Sequence, residues 1–182
     1  SSYMPAGINE NVTLKSVDVK LSPTQKYFLE IIFEDSEGKT ATMTEWKNEK
    51  NMWVKTDEDL QRRDNIQFGR IMQIVNCFYP EIEGEFNTFK EMIDWVKNTL
   101  TPMIETKKKL RLKVIYNSRN YTEVSKNGIF VETMDKNPSE IKKFVKDNFE
   151  RQIVADAEGT ADPLAAGNTA STQANGDDDL PF

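Results

Sequence analysis

Tyr27-Phe28-Leu29-Glu30-Ile31-Ile32-Phe33-Glu34, then Asp35-Ser36-Glu37-Gly38, then Lys39-Thr40-Ala41-Thr42-Met43-Thr44-Glu45-Trp46, is the stretch that decides the fold. Tyr27, Leu29, Ile31 and Phe33 alternate with Phe28, Glu30, Ile32 and Glu34, a period of two that lays an apolar face along one side of a strand. The four-residue run after it is a turn with glycine where a positive φ is needed, and the Thr-rich segment beyond alternates again. Upstream, Val12, Leu14, Val17, Val19 and Leu21 carry the same pattern with a change of phase around Lys15 and Ser16, which predicts a bulge or bend. Ser22-Pro23-Thr24 breaks that run, so the first 46 residues read as a three-stranded meander.

From Thr56 the period becomes helical. Thr56 and Asp59 form a capping-box pair, and Phe68, Ile71, Val75 and Phe78 make an apolar stripe that stops at Pro80. A second helix begins near Thr88, with Glu91 at the box position and Phe89, Met92, Ile93, Val96 and Leu100 on one face, and ends at Pro102. Strand pattern returns with Leu110, Leu112, Val114 and Tyr116, then with Tyr121 to Val124 and Ile129 to Val131, where Asn127-Gly128 marks a small hairpin or bulge. Three strands, a helical segment and two strands is the order of a five-stranded OB-fold barrel, so the fold class is mainly β with a helical insert (α+β). The expected boundaries are an OB-fold domain over 1–136 with its insertion at about 56–106, a C-terminal helix over 137–154, a flexible linker over 155–176 and a tip over 177–182. Pro138 opens that third helix, and its stripe of Ile141, Phe144, Val145, Phe149 and Ile153 has two possible covers, its own barrel or a second subunit.

The chain has 182 residues and a net charge of −6, which does not look like a nucleic-acid binder until it is divided. Residues 152–182 hold six acids and no Lys or Arg, which leaves 24 acids against 24 basic residues in the rest. A neutral body with local basic clusters can hold a polyanion, while the acidic tail can hold something basic. Cys77 is the only cysteine and histidine is absent, which excludes a disulfide framework, a thiolate zinc site and any mechanism with a His base. No Gly-rich phosphate loop or metal-ligand cluster is present, and Asp57-Glu58-Asp59 and Glu81, Glu83 and Glu85 read as helix-start and loop charges, so neither enzyme, cofactor nor metal is expected. No apolar run approaches the length of a membrane span, and the protein is expected in the cytoplasm.

Asp177-Asp178-Asp179-Leu180-Pro181-Phe182 runs three carboxylates into an apolar tip and a terminal carboxylate, the chemistry of a recognition peptide that steers by charge and plugs one pocket. These six residues resemble the acidic C-terminal tip of bacterial and phage single-stranded DNA-binding proteins, which characteristically end Asp-Asp-Asp-(Ile/Leu)-Pro-Phe. The resemblance covers all six positions. It implies sequence-independent binding and protection of single-stranded DNA in replication, recombination and repair, by an OB domain carrying the tip on a flexible linker. It also implies that the tip docks partners such as a polymerase, helicase, primase or nuclease. The insert of roughly sixty residues between Trp46 and Leu110 exceeds the single helix of simple OB domains, which points to a phage-type relative rather than the bacterial housekeeping protein. Residues 155–176, rich in Ala, Gly, Thr and Asn, have too little apolar bulk to fold and would let the tip roam on the order of 25 Å.

Within the body, Trp46, Lys47, Lys50, Trp53 and Lys55 interleave two indoles with three lysines at the exit of the third strand, where OB domains bind single strands. The alternative for each indole is packing: Trp46 as a cap on the barrel core, Trp53 against the helical insert. A second set comprises Lys109, Arg111, Lys113, Arg119 and Tyr121, with Arg111 and Lys113 expected to point outward opposite Leu110 and Leu112. Phe28, opposite Leu29 and Ile31, is a further stacking candidate. A rival reading is a protein-binding adaptor or decoy whose tip competes for the pockets used by a host's own binding protein. RNA as the strand and self-association of the body both stay open.

Overall fold

The computed structural model describes residues 2–153; the predicted linker, the tip and residue 154 at the end of the predicted third helix lie outside them. In chain order the elements are β1 (Gly7–Leu21), β2 (Tyr27–Glu34), β3 (Thr40–Trp46), α1 (Asp57–Phe78), α2 (Phe89–Leu100), a 3₁₀ segment (Thr101–Thr106), β4 (Leu110–Tyr116), β5 (Thr122–Val124) and β6 (Val131–Thr133). β2 buries Leu29, Ile31 and Phe33 completely, and β3 adds Ala41, Met43 and the carboxylate of Glu45 on the same side. Gly38 at φ +81 closes the turn between them.

The phase change in β1 is a break in register between Leu14 and Ser16, and it lets one strand serve two neighbours. Thr13–Leu21 pairs with β2, while Gly7–Val12 pairs with β4 across a second irregularity at Asn9 to Val12. Each extra residue bends the strand and raises its twist, which turns the sheet around its own core. The antiparallel sheet runs β3-β2-β1-β4-β5, with β6 on the other half of β4. β3 and β5 approach one another without pairing, so the sheet has six strands and is not closed, in place of the expected five-stranded barrel. The sixth strand arises because Lys113 uses both of its backbone groups on that one chain segment. It accepts from Ser125 N–H at 2.9 Å and donates to the Phe130 carbonyl at 2.9 Å, so residues 126–129 bow out and divide the predicted last strand.

Both helices of the insert begin as their caps require. Thr56 and Asp59 exchange both bonds of the capping box. Thr88 accepts from Glu91 N–H at 3.1 Å, but the return bond from Glu91 goes to Asn87 N–H at 3.2 Å, one residue upstream. α1 packs beside β6 and α2 against β1, with Ile71, Ile74, Val75, Ile93, Val96 and Leu100 joining the core.

The predicted C-terminal helix over 137–154 is a correction: the described part of that segment is an irregular strap across the outer side of β4. Two of its amides, those of Glu140 and Phe144, go to buried carboxylates. Glu132 accepts from Glu140 N–H at 2.9 Å and Ser139 Oγ at 2.5 Å, and Asp147 accepts from Phe144 N–H at 2.7 Å. The apolar stripe is correspondingly scattered, with Ile141 buried and Val145 96% exposed. Phe144 presses on Gly128, where an added Cβ would fall 2.4 Å from its ring at a φ of +61, so that position has room only for glycine.

Candidate nucleic-acid interface

Alternation places Phe28 on the side of β2 away from the core, and the register pairs it directly with Trp46 of β3. Their rings stack at 4.2 Å between centroids and 19° between planes, and Trp46 keeps 43% of its surface exposed. Trp46 therefore does not cap the core. Its neighbourhood is held from beneath by Glu45, which is 2% exposed and takes Arg70 at 2.9 Å, Lys126 at 3.0 Å and the Gln67 amide at 3.0 Å. Burial would raise the Glu45 carboxyl, but Lys126 and Arg70 hold it below the usual carboxylate value. Gln67 Nε2 also donates to the Trp46 carbonyl at 2.8 Å, so α1 fixes the end of β3 from which the indole projects.

The connection after Trp46 exposes its apolar tip by construction. Asn51 Oδ1 accepts from Trp53 N–H at 2.7 Å and Val54 N–H at 2.9 Å, while Val54 is buried as an anchor. Met52 and Trp53 are left 69% and 63% exposed, so Trp53 does not pack on the insert. Lys47 and Lys55 are exposed without an ion partner among the described residues, whereas Lys50 pairs with Asp57. The outer face is not uniformly cationic, because Lys20, opposite Phe28, is bound to Glu30 at 2.6 Å.

The second predicted set is divided. Lys109, Arg119 and Tyr121 are on the surface, Lys109 ahead of β4 and the other two in the turn after it, where Asn117 Oδ1 accepts from Arg119 N–H at 2.9 Å and Tyr121 N–H at 3.1 Å. Arg111 and Lys113 are corrections: they do leave the core side of β4, but Arg111 is taken up by carboxylates of β1 and β6 and the strap covers Lys113. Arg111 binds Glu10 at 3.1 Å and Glu132, and its side chain is 12% exposed. Lys113 is fully buried, with its ammonium donating to Asp147 at 2.7 Å, the Lys142 carbonyl at 2.7 Å and the Asn127 carbonyl at 2.9 Å. All three ammonium hydrogens of Lys113 are engaged and Arg111 is held between two carboxylates, so neither is offered to a phosphate as an exposed, unpaired cation.

A groove of about 390 Å³ opens beside Trp46 and was not legible in the sequence. Tyr27 and Lys26 at the start of β2, Lys47 after β3, and Phe89 and Lys90 at the start of α2 form its walls with Trp46. Lys90 Nζ lies 4.6 Å from the Tyr27 ring centroid and 2.9 Å from Asp94, and Lys26 sits 3.5 Å from Glu49. The approach of α2 to the start of β2 brings these residues together, and no local pattern signals it.

Among the described residues no three of His, Cys, Asp and Glu gather to hold a metal ion. The buried Cys77 thiol is pushed up to about 12 by burial, so it stays protonated at neutral pH. No described helix is long and apolar enough to cross a membrane. The sequence matches no family model and no curated protein.

Proposed function

We propose that this protein is a non-catalytic, sequence-independent binder of single-stranded DNA that serves replication, recombination and repair. The observation that carries the reading is the outward Phe28–Trp46 stack on β2 and β3, a hydrophobic platform left in water and locked from below by a satisfied buried carboxylate. The cross-strand stack stabilises the sheet modestly, and it also leaves an exposed indole on which a base of any identity gains stacking energy. We read the open six-stranded sheet as a partly open OB-type barrel, in which the face of strands 2 and 3 is the usual strand-binding surface. The tip at 177–182 then recruits basic partner proteins of the replication machinery, an assignment resting on its sequence alone.

Titration of the full chain with oligo(dT), followed by tryptophan fluorescence, tests this directly. Trp46 and Trp53 are exposed and should be quenched by stacked bases, with Trp95, packed 5.1 Å from Phe86, as an unresponsive background. Trp46→Ala should weaken binding by about 1 to 2 kcal/mol, roughly 5- to 30-fold, because one stacking surface is lost while Phe28 remains. Absence of both quenching and binding by the parent protein would sink the reading and favour the adaptor. Removal of Asp177–Phe182 should tighten oligo(dT) binding at low salt, since the tip competes for the same cations. Unchanged affinity would show that tip and strand do not compete.

A further inference from the structure

We propose that the groove between the start of β2, the exit of β3 and the start of α2 is a single-nucleotide subsite: it receives one base that has left the stack, together with its phosphate. This rests on the single-strand reading above and extends the site onto the helical insert. The volume of about 390 Å³ lies in the range of small-molecule pockets, and the walls combine aromatic surface with ammonium groups. Tyr27 is 46% exposed although it is in phase with Leu29 and Ile31 of the core. It lies past the end of the core, where α2 supplies Lys90 rather than an apolar cover. Lys26, Lys47 and Lys90 are the ammonium groups on the walls that can meet the phosphate, and the exposed 3.5 Å pair of Lys26 with Glu49 is weak enough for a phosphate to compete. Lys47 has no ion partner among the described residues, and the exposed pair of Lys90 with Asp94 is weak enough for a phosphate to share the ammonium. The Thr88 hydroxyl on the same wall accepts from Glu91 N–H and keeps its own O–H as a donor beside the cations. Aromatic surfaces and mobile ammonium groups dominate the walls, so the subsite accepts any base. Trp46 joins the groove to the Phe28 platform, which lets one strand run from one to the other.

The test uses the full chain and oligo(dT), with Tyr27→Ala, Tyr27→Phe and Lys90→Ala beside the parent and the thermal midpoint of each recorded. Tyr27→Ala should weaken binding by about fivefold or more, and Tyr27→Phe should retain it, because the ring and not the hydroxyl stacks. Lys90→Ala should make the dependence of log K on log salt shallower by about 0.7. An oligo(dT) carrying one 5-iododeoxyuridine should photo-crosslink to Tyr27 or Trp46. Parent binding that all three variants retain, with unchanged salt dependence, would overturn the subsite and leave the proposed function intact. Equal losses in Tyr27→Ala and Tyr27→Phe would also overturn it. A parent protein that does not bind would overturn both.

Discussion

Asp147→Ala should lower the stability of the protein by about 3 to 5 kcal/mol, because it leaves the Lys113 ammonium buried without its counter-charge. For a domain of this size that corresponds to a fall in the thermal midpoint of roughly 6 to 20 °C. The two side chains are both fully inaccessible and meet at 2.7 Å, and Asp147 has every other acceptor position filled. Ser125 Oγ donates to it at 2.7 Å, Asn127 Nδ2 at 2.8 Å and Phe144 N–H at 2.7 Å. One carboxylate thus ties the strap, the bowed loop 126–129 and the centre of β4 together. Lys113→Met should cost a comparable amount. The double variant Lys113→Met with Asp147→Leu should recover only part of it, because Ser125, Asn127 and the Phe144 amide would stay unpaired. Burial would raise the Asp147 carboxyl, but Lys113 and these donors outweigh it and hold it below its ordinary value. Its folded pKa is therefore depressed, so its contribution is complete above the unfolded carboxyl value near 4 and is lost as pH falls through the folded one. Urea midpoints measured between pH 7 and pH 3 should fall in the parent and stay flatter in Asp147→Ala. A variant as stable as the parent would show that the strap is held by something else.

That cluster also shows where reading from residues reaches its limit. The alternation in β2, the bulge before Ser16 and the Thr56 capping box are local devices, each settled by neighbours within a few positions, and each is where the periodicity puts it. Lys113 was expected outward because period two separates it from Leu112 and Val114, and that separation is real. What the period cannot carry is a later segment laid over the outer face. The same segment resembles a helix because Ile141, Phe144, Val145, Phe149 and Ile153 are spaced as one face would be. The competing claim on its amides comes from Glu132 and Asp147, one of them fixed on β6, so the outcome depends on tertiary contacts. Of the proposed platform, Phe28 and Trp46 were legible because a strand register fixes both. Tyr27, Phe89 and Lys90 were not, because the insert's docking against β2 decides their neighbourhood.

Binding to oligo(dT) should weaken by about 50-fold between 50 and 200 mM salt, the fall expected when about four phosphates are neutralised on a single strand. The count comes from the cations the structure leaves available. Lys47, Lys55, Lys109 and Arg119 are exposed and make no ion pair among the described residues, whereas Arg111 and Lys113 are committed to buried acids. Had all of the predicted cations faced solvent, the dependence would be steeper. Lys50, Lys26 and Lys90 sit in exposed pairs whose modest strength lets a phosphate compete, so four is a floor rather than a total. Lys47→Ala should make the slope of log K against log salt shallower by about 0.7, and Arg119→Ala should do the same. Arg111→Ala should leave the slope as it was even where stability falls, since its guanidinium already serves Glu10 and Glu132. Equal effects of Lys47→Ala and Arg111→Ala on the slope would mean that Arg111 leaves Glu10 and Glu132 for a phosphate when DNA binds. A slope near zero would leave stacking as the sole source of affinity, which a formally neutral body carrying unpaired surface lysines should not produce.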